Sequence, residues 1–176
     1  MPKNSDVKTM TESQVSVKEM ILHTWDQEHQ TTLRLLEAYP QDKLDLKPHE
    51  KLRSARELAW VIVNSEPWMI NGILTGKFGS EEGPKPPETM KDILNEYRKT
   101  HKDMVDKVKK MNDNDFNRSI KFFVGPNQMR DVKIADLLTF MVRDQIHHRG
   151  QLSVYLRIAD GKMPSIYGPT ADEPWM

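Results

Sequence analysis

Apolar side chains recur every three to four residues over four long stretches of the chain, and each recurrence predicts a helix. The first stretch runs from Met20 to Tyr39, with Met20, Leu22, Trp25, Leu33, Leu36 and Tyr39 at its apolar positions and Pro40 as its stop. The second opens at Ser54, whose hydroxyl caps the helix while Glu57, three residues on, caps back. Leu58, Ile62, Met69 and Ile73 then share one face. Pro67 sits inside this pattern and predicts a kink or local break, because it removes a backbone donor. The third stretch spans Glu88 to Met111, striped by Met90, Ile93, Leu94, Tyr97, His101, Met104, Val105 and Val108. The fourth spans Lys133 to Ala159, striped by Ile134, Leu137, Leu138, Met141, Leu152, Tyr155 and Leu156.

The segments between the helices read differently. A polar loop carrying Lys47-Pro48-His49 joins the first two, and a glycine- and proline-rich loop from Gly79 to Pro87 follows the second. Between Asn112 and Asp131 the run Ile120, Phe122, Phe123 and Val124 is strand-like and meets a Gly125-Pro126-Asn127 turn. The expected architecture is all-α: a four-helix bundle with one long crossover, which holds a short β-hairpin before helix 4. Residues 1–14 are expected to be a disordered polar lead. Residues 15–176 are expected to be the bundle, its tail Lys162 to Pro169 packed back over it.

Composition narrows the function. Lys plus Arg and Asp plus Glu are equal at 26 each, so no basic excess exists to neutralise a nucleic-acid backbone. There is no cysteine, which excludes disulfides, a thiolate zinc site and a cysteine nucleophile. No apolar run approaches the roughly 20 residues that a membrane span needs. The lead has no apolar signal core, and a cytoplasmic chain is expected.

The fourth helix carries the most chemistry. At 100° per residue His148 falls close to the centre of its apolar stripe, Asp144 on the flank one turn earlier, and His147 nearer the edge. Asp144 and His148 are therefore expected to present side chains to one interior point, where they can share a divalent metal or simply hydrogen-bond each other. An unpaired buried imidazole costs roughly 1–3 kcal/mol, and Asp144 alone can supply its partner. Glu66 on helix 2 is expected to point partly inward, as a third oxygen ligand or a partner for Arg149. Val61, Met141, His147 and Tyr155 are expected to line the pocket around the metal pair. His23 and His29 read as surface residues, His49 as exposed, and His101 as a boundary residue.

The run Gln145-Ile-His-His-Arg-Gly-Gln-Leu-Ser-Val-Tyr-Leu-Arg157 and the tail Pro164-Ser-Ile-Tyr-Gly-Pro169 resemble the last helix and tail of DinB-like proteins. Glu57-Leu-Ala-Trp-Val-Ile-Val-Asn-Ser-Glu66 is similar to the second-helix motif of that superfamily. The resemblance implies three metal-binding histidines, one on helix 2 and two, four residues apart, on helix 4. Those positions are Val61, Asp144 and His148 here, so only one histidine of the three remains.

The resemblance also implies an activity. Relatives of the fold include transferases that use a low-molecular-weight thiol such as bacillithiol or mycothiol, with a metal activating the thiol. A degenerate nickel, zinc or manganese site in a transferase or hydrolase is one expectation for this chain. A metal-free bundle that binds a small molecule or partner in the same cleft is another. The third is a homodimeric scaffold, with Trp60 or Trp68 at the interface. No catalytic residue can be assigned from the sequence.

Overall fold

The computed structural model describes residues 15–79 and 83–175; the lead expected over residues 1–14 lies outside them. Four helices form: α1 (Val17–Glu37), α2 (Ala55–Thr75), α3 (Met90–Lys109) and α4 (Ile134–Ile158). A hairpin of β1 (Ser119–Gly125) and β2 (Gln128–Lys133) lies in the crossover from α3 to α4. α1 packs on α3 and α4, and α2 packs on the same two, so α1 and α2 face each other across one diagonal of the bundle.

Local chemistry sets the boundaries. Ser54 caps α2 and Glu57 returns the bond to the Ser54 N–H at 2.7 Å. α1 begins three residues before its expected start, because Ser16 and Glu19 form an equivalent capping box, with Glu19 accepting from the Ser16 N–H at 2.8 Å. α2 runs without interruption through Pro67. In the turn before that proline the Ile62 carbonyl accepts from the Ser65 hydroxyl at 2.7 Å. α2 ends at Gly76, whose positive φ of 70° gives the left-handed cap that glycine adopts without strain. The hairpin turns at Asn127, with a bulge between Phe123 and Gly125.

The apolar interior divides into two clusters. One, toward the 38–54 connection, gathers Leu36, Leu58, Ile62, Ile93, Tyr97 and Leu152. The other, toward the hairpin, gathers Trp25, Met69, Met104, Phe122, Leu138 and Met141. Between them lies a buried polar layer: His29 and Thr32 from α1, Glu66 from α2, Thr100 and His101 from α3, Gln145 and Arg149 from α4.

Arg149 closes one side of that layer. It is nearly sealed from solvent and pairs with Glu28 Oε2 at 2.6 Å. It also donates to the Glu28 carbonyl at 3.2 Å and to the Tyr167 hydroxyl. Tyr167 in turn donates to Glu28 at 2.6 Å, which holds the tail on the bundle together with the Arg34–Glu173 and Arg157–Asp172 pairs. Removing one partner of a buried pair leaves an uncompensated charge, whereas exposed pairs contribute little. Glu28→Ala is therefore expected to cost about 3 kcal/mol, and Glu173→Ala less than about 1 kcal/mol. Urea denaturation of the two variants measures the difference, and equal losses would contradict this account of Arg149.

Candidate metal centre

Glu66 occupies the middle of the polar layer with no solvent exposure. A carboxyl group there must find polar partners, because burying it bare is costly. Three neighbours converge on its Oε1. The Trp25 indole N–H donates across the diagonal at 2.8 Å, the Gln145 amide donates from α4 at 3.0 Å, and His101 Nδ1 stands 3.2 Å away on α3. The indole and the amide nitrogen can only donate, so Oε1 accepts from both. Glu66 Oε2 has no hydrogen-bond partner among the described residues.

His29 completes the group. Its ring stacks on His101 with centroids 3.6 Å apart and planes within 9°. Its Nδ1 also lacks a hydrogen-bond partner among the described residues. Burial, reinforced by the neighbouring His101 and Arg98, lowers the His29 pKa to about 3, so the ring is neutral and keeps a lone pair free. His101 Nε2 lies 3.5 Å from Asp26 Oδ1 at the bundle surface. One ligand atom each from His29, Glu66 and His101 lies within 4.8 Å of the others. Two imidazoles and a carboxylate are a donor set used for zinc and other first-row divalent ions, and these three could hold such an ion.

The residues expected to form the site are distributed otherwise. Asp144 and His148 do meet, Oδ2 to Nε2 at 3.5 Å, but on the flank of α4 and not at an interior point. His148 Nδ1 is committed to Gln151 Oε1 at 3.0 Å. The interior positions of α4 are one residue on, at Gln145 and Arg149. Val61 and Asp144 line a cleft of about 1040 Å³ between α2 and α3, whereas His148 and Tyr155 line a separate cleft beside the start of α2. Met141 is buried in the core, and His147 is exposed, its Nε2 3.1 Å from the Gln151 amide nitrogen. The three-histidine metal of the resemblance therefore does not fit here. Val61 offers no donor atom, Asp144 stands against His148 on the flank of α4, and His148 Nδ1 is taken by Gln151.

Glu66 points fully inward, and Arg149, the partner once expected for it, pairs with Glu28. His29, read from sequence as a surface residue, is 3% exposed, and His101 is buried as well. The signal for His29 lay in the spacing of Trp25, His29, Leu33 and Leu36, which sets it on the buried face of α1.

Such a bundle, with a long crossover through a hairpin and a histidine–carboxylate layer at its centre, defines a class of helical proteins that place polar donors between their helices. Within that class the chain belongs to the DinB family, whose sequence model matches residues 10–175. It is 29% identical over 154 residues to the uncharacterized protein YrdA of Bacillus subtilis strain 168, covering 86% of this chain and 89% of that protein. A DinB-like protein of Bacillus cereus ATCC 10987 has a similar structure, with a TM-score of 0.72 at 26% identity, covering 85% of this chain and 97% of that one. The DinB-like protein YjoA of Bacillus subtilis shares the fold at a TM-score of 0.67 and 22% identity, covering 84% of this chain and 97% of its own.

The neutral state of His29 has a consequence for stability. The unfolded chain takes up a proton on this residue near pH 6.5, whereas the folded protein does so only near pH 3. The contribution of His29 is thus complete above pH 6.5 and is lost as the pH falls below it. Between pH 6 and 4 the metal-free protein is expected to lose roughly 1.4 kcal/mol per pH unit through this residue. Denaturant titrations of wild type and His29→Gln give the number as a difference in slope; parallel slopes would show that His29 is already charged in the fold.

Proposed function

We propose that this DinB-family chain is a divalent-metal protein whose ion binds inside the bundle, on His29, Glu66 and His101. The observation that supports the reading is the convergence of three buried donors from three helices, each with an atom unpaired among the described residues: His29 Nδ1, Glu66 Oε2 and His101 Nε2. Unpaired buried polar atoms are costly and call for a ligand or water. Mixed imidazole and carboxylate donors favour zinc, nickel or manganese over calcium or magnesium, which prefer all-oxygen shells.

Three protein donors are the number that catalytic sites use, with a further position for water or substrate. Bound there, the metal would acidify a thiol or water, which is the chemistry of a thiol transferase or hydrolase. The α2–α3 cleft is the substrate side in this reading. Its wall includes Ser65 and Thr100, the residues directly before Glu66 and His101. The metal-free reading rests on a specific contact: His101 stands between Glu66 at 3.2 Å and Asp26 at 3.5 Å and links α3 to α2 and α1 without an ion. The cleft would then serve a small-molecule ligand alone.

Titration of chelator-treated protein with zinc, nickel and manganese, followed by heat, separates the two. One equivalent should bind with submicromolar affinity, be lost in His101→Ala and survive in His148→Ala. Loss in His148→Ala with retention in His101→Ala would return the ion to the rim of α4, and no binding by the wild type would leave the metal-free reading.

The same proposal includes a cytoplasmic homodimer. No helix among the described residues is long and apolar enough to cross a membrane. Trp60 is buried in its own core, but Trp68, Phe123 and Phe140 are each more than two-fifths exposed around the hairpin. Exposed apolar groups clustered in this way are typical of interfaces. Sedimentation equilibrium is expected to give twice the monomer mass, and Phe140→Asp to halve it; a monomeric wild type would remove the dimer from the proposal.

A further inference from the structure

Each of three helices gives the candidate centre one donor; α4 gives none from the histidines and acids. Yet α4 places Gln145 directly against Glu66, with 1% of its surface exposed. Three acceptors surround its amide nitrogen: Glu66 Oε1 at 3.0 Å, the Ser65 hydroxyl at 3.2 Å and the Ile62 carbonyl at 3.5 Å. The Ile62 carbonyl has no proton to offer an amide oxygen, Glu66 Oε1 already accepts the Trp25 indole N–H, and the Ser65 hydroxyl proton goes to Ile62. The orientation of the amide is thereby fixed, nitrogen toward the acceptors. Its oxygen is then buried without any hydrogen-bond partner among the described residues.

A buried amide oxygen facing no donor needs a proton or a cation, and α4 offers no other donor atom to the layer except the guanidinium of Arg149, which cannot ligate. We infer that Gln145 is the fourth ligand of the interior ion, binding through Oε1, so that His29, Glu66, His101 and Gln145 supply one donor from each of the four helices. This rests on the metal reading above and adds to it. An ion held in this way pins the whole bundle, so that metal binding contributes directly to folding stability. The amide is the one neutral oxygen in the set, and its nitrogen already bonds Ser65 in the cleft wall. A thiol or water from the cleft would reach the ion by displacing Gln145 before any other ligand.

The test uses cobalt as a visible probe for the ion, in wild type, Gln145→Leu and Gln145→Glu, each stripped by chelator and checked for helicity. Gln145→Leu should bind cobalt at least about tenfold more weakly and shift its visible absorption bands. Such a loss would also follow if Gln145 only oriented Glu66, so the carboxylate variant carries the decision. A carboxylate can ligate but cannot donate to Glu66, and two facing carboxylates repel in the metal-free state. As a ligand, Gln145→Glu should keep wild-type cobalt affinity or better it, and should gain more in Tm from cobalt than the wild type does. Cobalt bound more weakly by Gln145→Glu than by Gln145→Leu would overturn the inference, as would a Gln145→Leu variant with wild-type affinity and spectrum. Should Gln145→Leu fail to fold, Gln145→Met, of similar length, takes its place under the same criteria. A wild type that binds neither cobalt nor zinc brings down the metal reading itself, and this inference with it.

Discussion

A carboxyl group without solvent contact sits at the point where the diagonals of the bundle cross, and the placement of all four helices answers to it. Glu66 takes Trp25 from α1, His101 from α3 and Gln145 from α4 on a single oxygen. Sliding one of these helices by a turn in one of its two directions would put Ile21, Val105 or Met141, none of which has a donor, against that oxygen. The cost of leaving a buried carboxyl unpaired exceeds what a single methyl-scale repacking contributes. Apolar packing alone tolerates many registers in a helical bundle, and a buried polar layer that is satisfied in one arrangement selects among them. The division of the core into one cluster on each side of Glu66 is the visible result.

The other half of the layer works by charge. Arg149 lies one turn beyond Gln145 on α4 and is as deeply buried, and its guanidinium is balanced by Glu28 from α1. Tyr167 covers the pair, with the Arg149 guanidinium 5.1 Å from the ring centre, and this is where the irregular tail is fastened. The tail therefore completes the desolvation of an ion pair that is part of the core. Polar order extends along α4 from Gln145 to Arg149 and outward to the C-terminal residues.

Much of the fold was legible from residue spacing. Ser54 with Glu57 marked the start of α2 to the residue, and the strand-like run around Phe122 with the Gly125-Pro126-Asn127 turn marked the hairpin. The start of α1 was missed because its cap, Ser16 with Glu19, precedes the first core residue, Ile21, by more than a turn. Pro67 left α2 continuous, since a helix packed on two neighbours holds its backbone by more than its own hydrogen bonds. The site was less legible, for a definite reason. On α4 two polar pairs border the apolar stripe, Asp144 with His148 and Gln145 with Arg149, each four residues apart. Apolar periodicity does not rank them. The choice is made by what faces them from other helices, Glu66 for one and Glu28 for the other, and those partners are remote in sequence. Chemical type pointed to the histidine pair, and tertiary pairing put the glutamine and the arginine inside.

The contrast between rim and interior separates the two sets of candidate donors. Val61 and Glu66 lie on the same helix, the first half-buried at a cleft and the second at the centre. Asp144 and Gln145 are neighbours on the facing helix, with the same division. Valine at the rim leaves that half-buried position without a donor. The interior set is different, because its donors are also the atoms that the core must satisfy. Among the described residues Glu66 Oε1 has three partners and Oε2 has none. A protein that needed only to bury a carboxyl group would spread its donors over both oxygens. Loading one oxygen and leaving the other bare, with two imidazole nitrogens and an amide oxygen equally bare in the same layer, is the pattern that a positive ion among them would relieve.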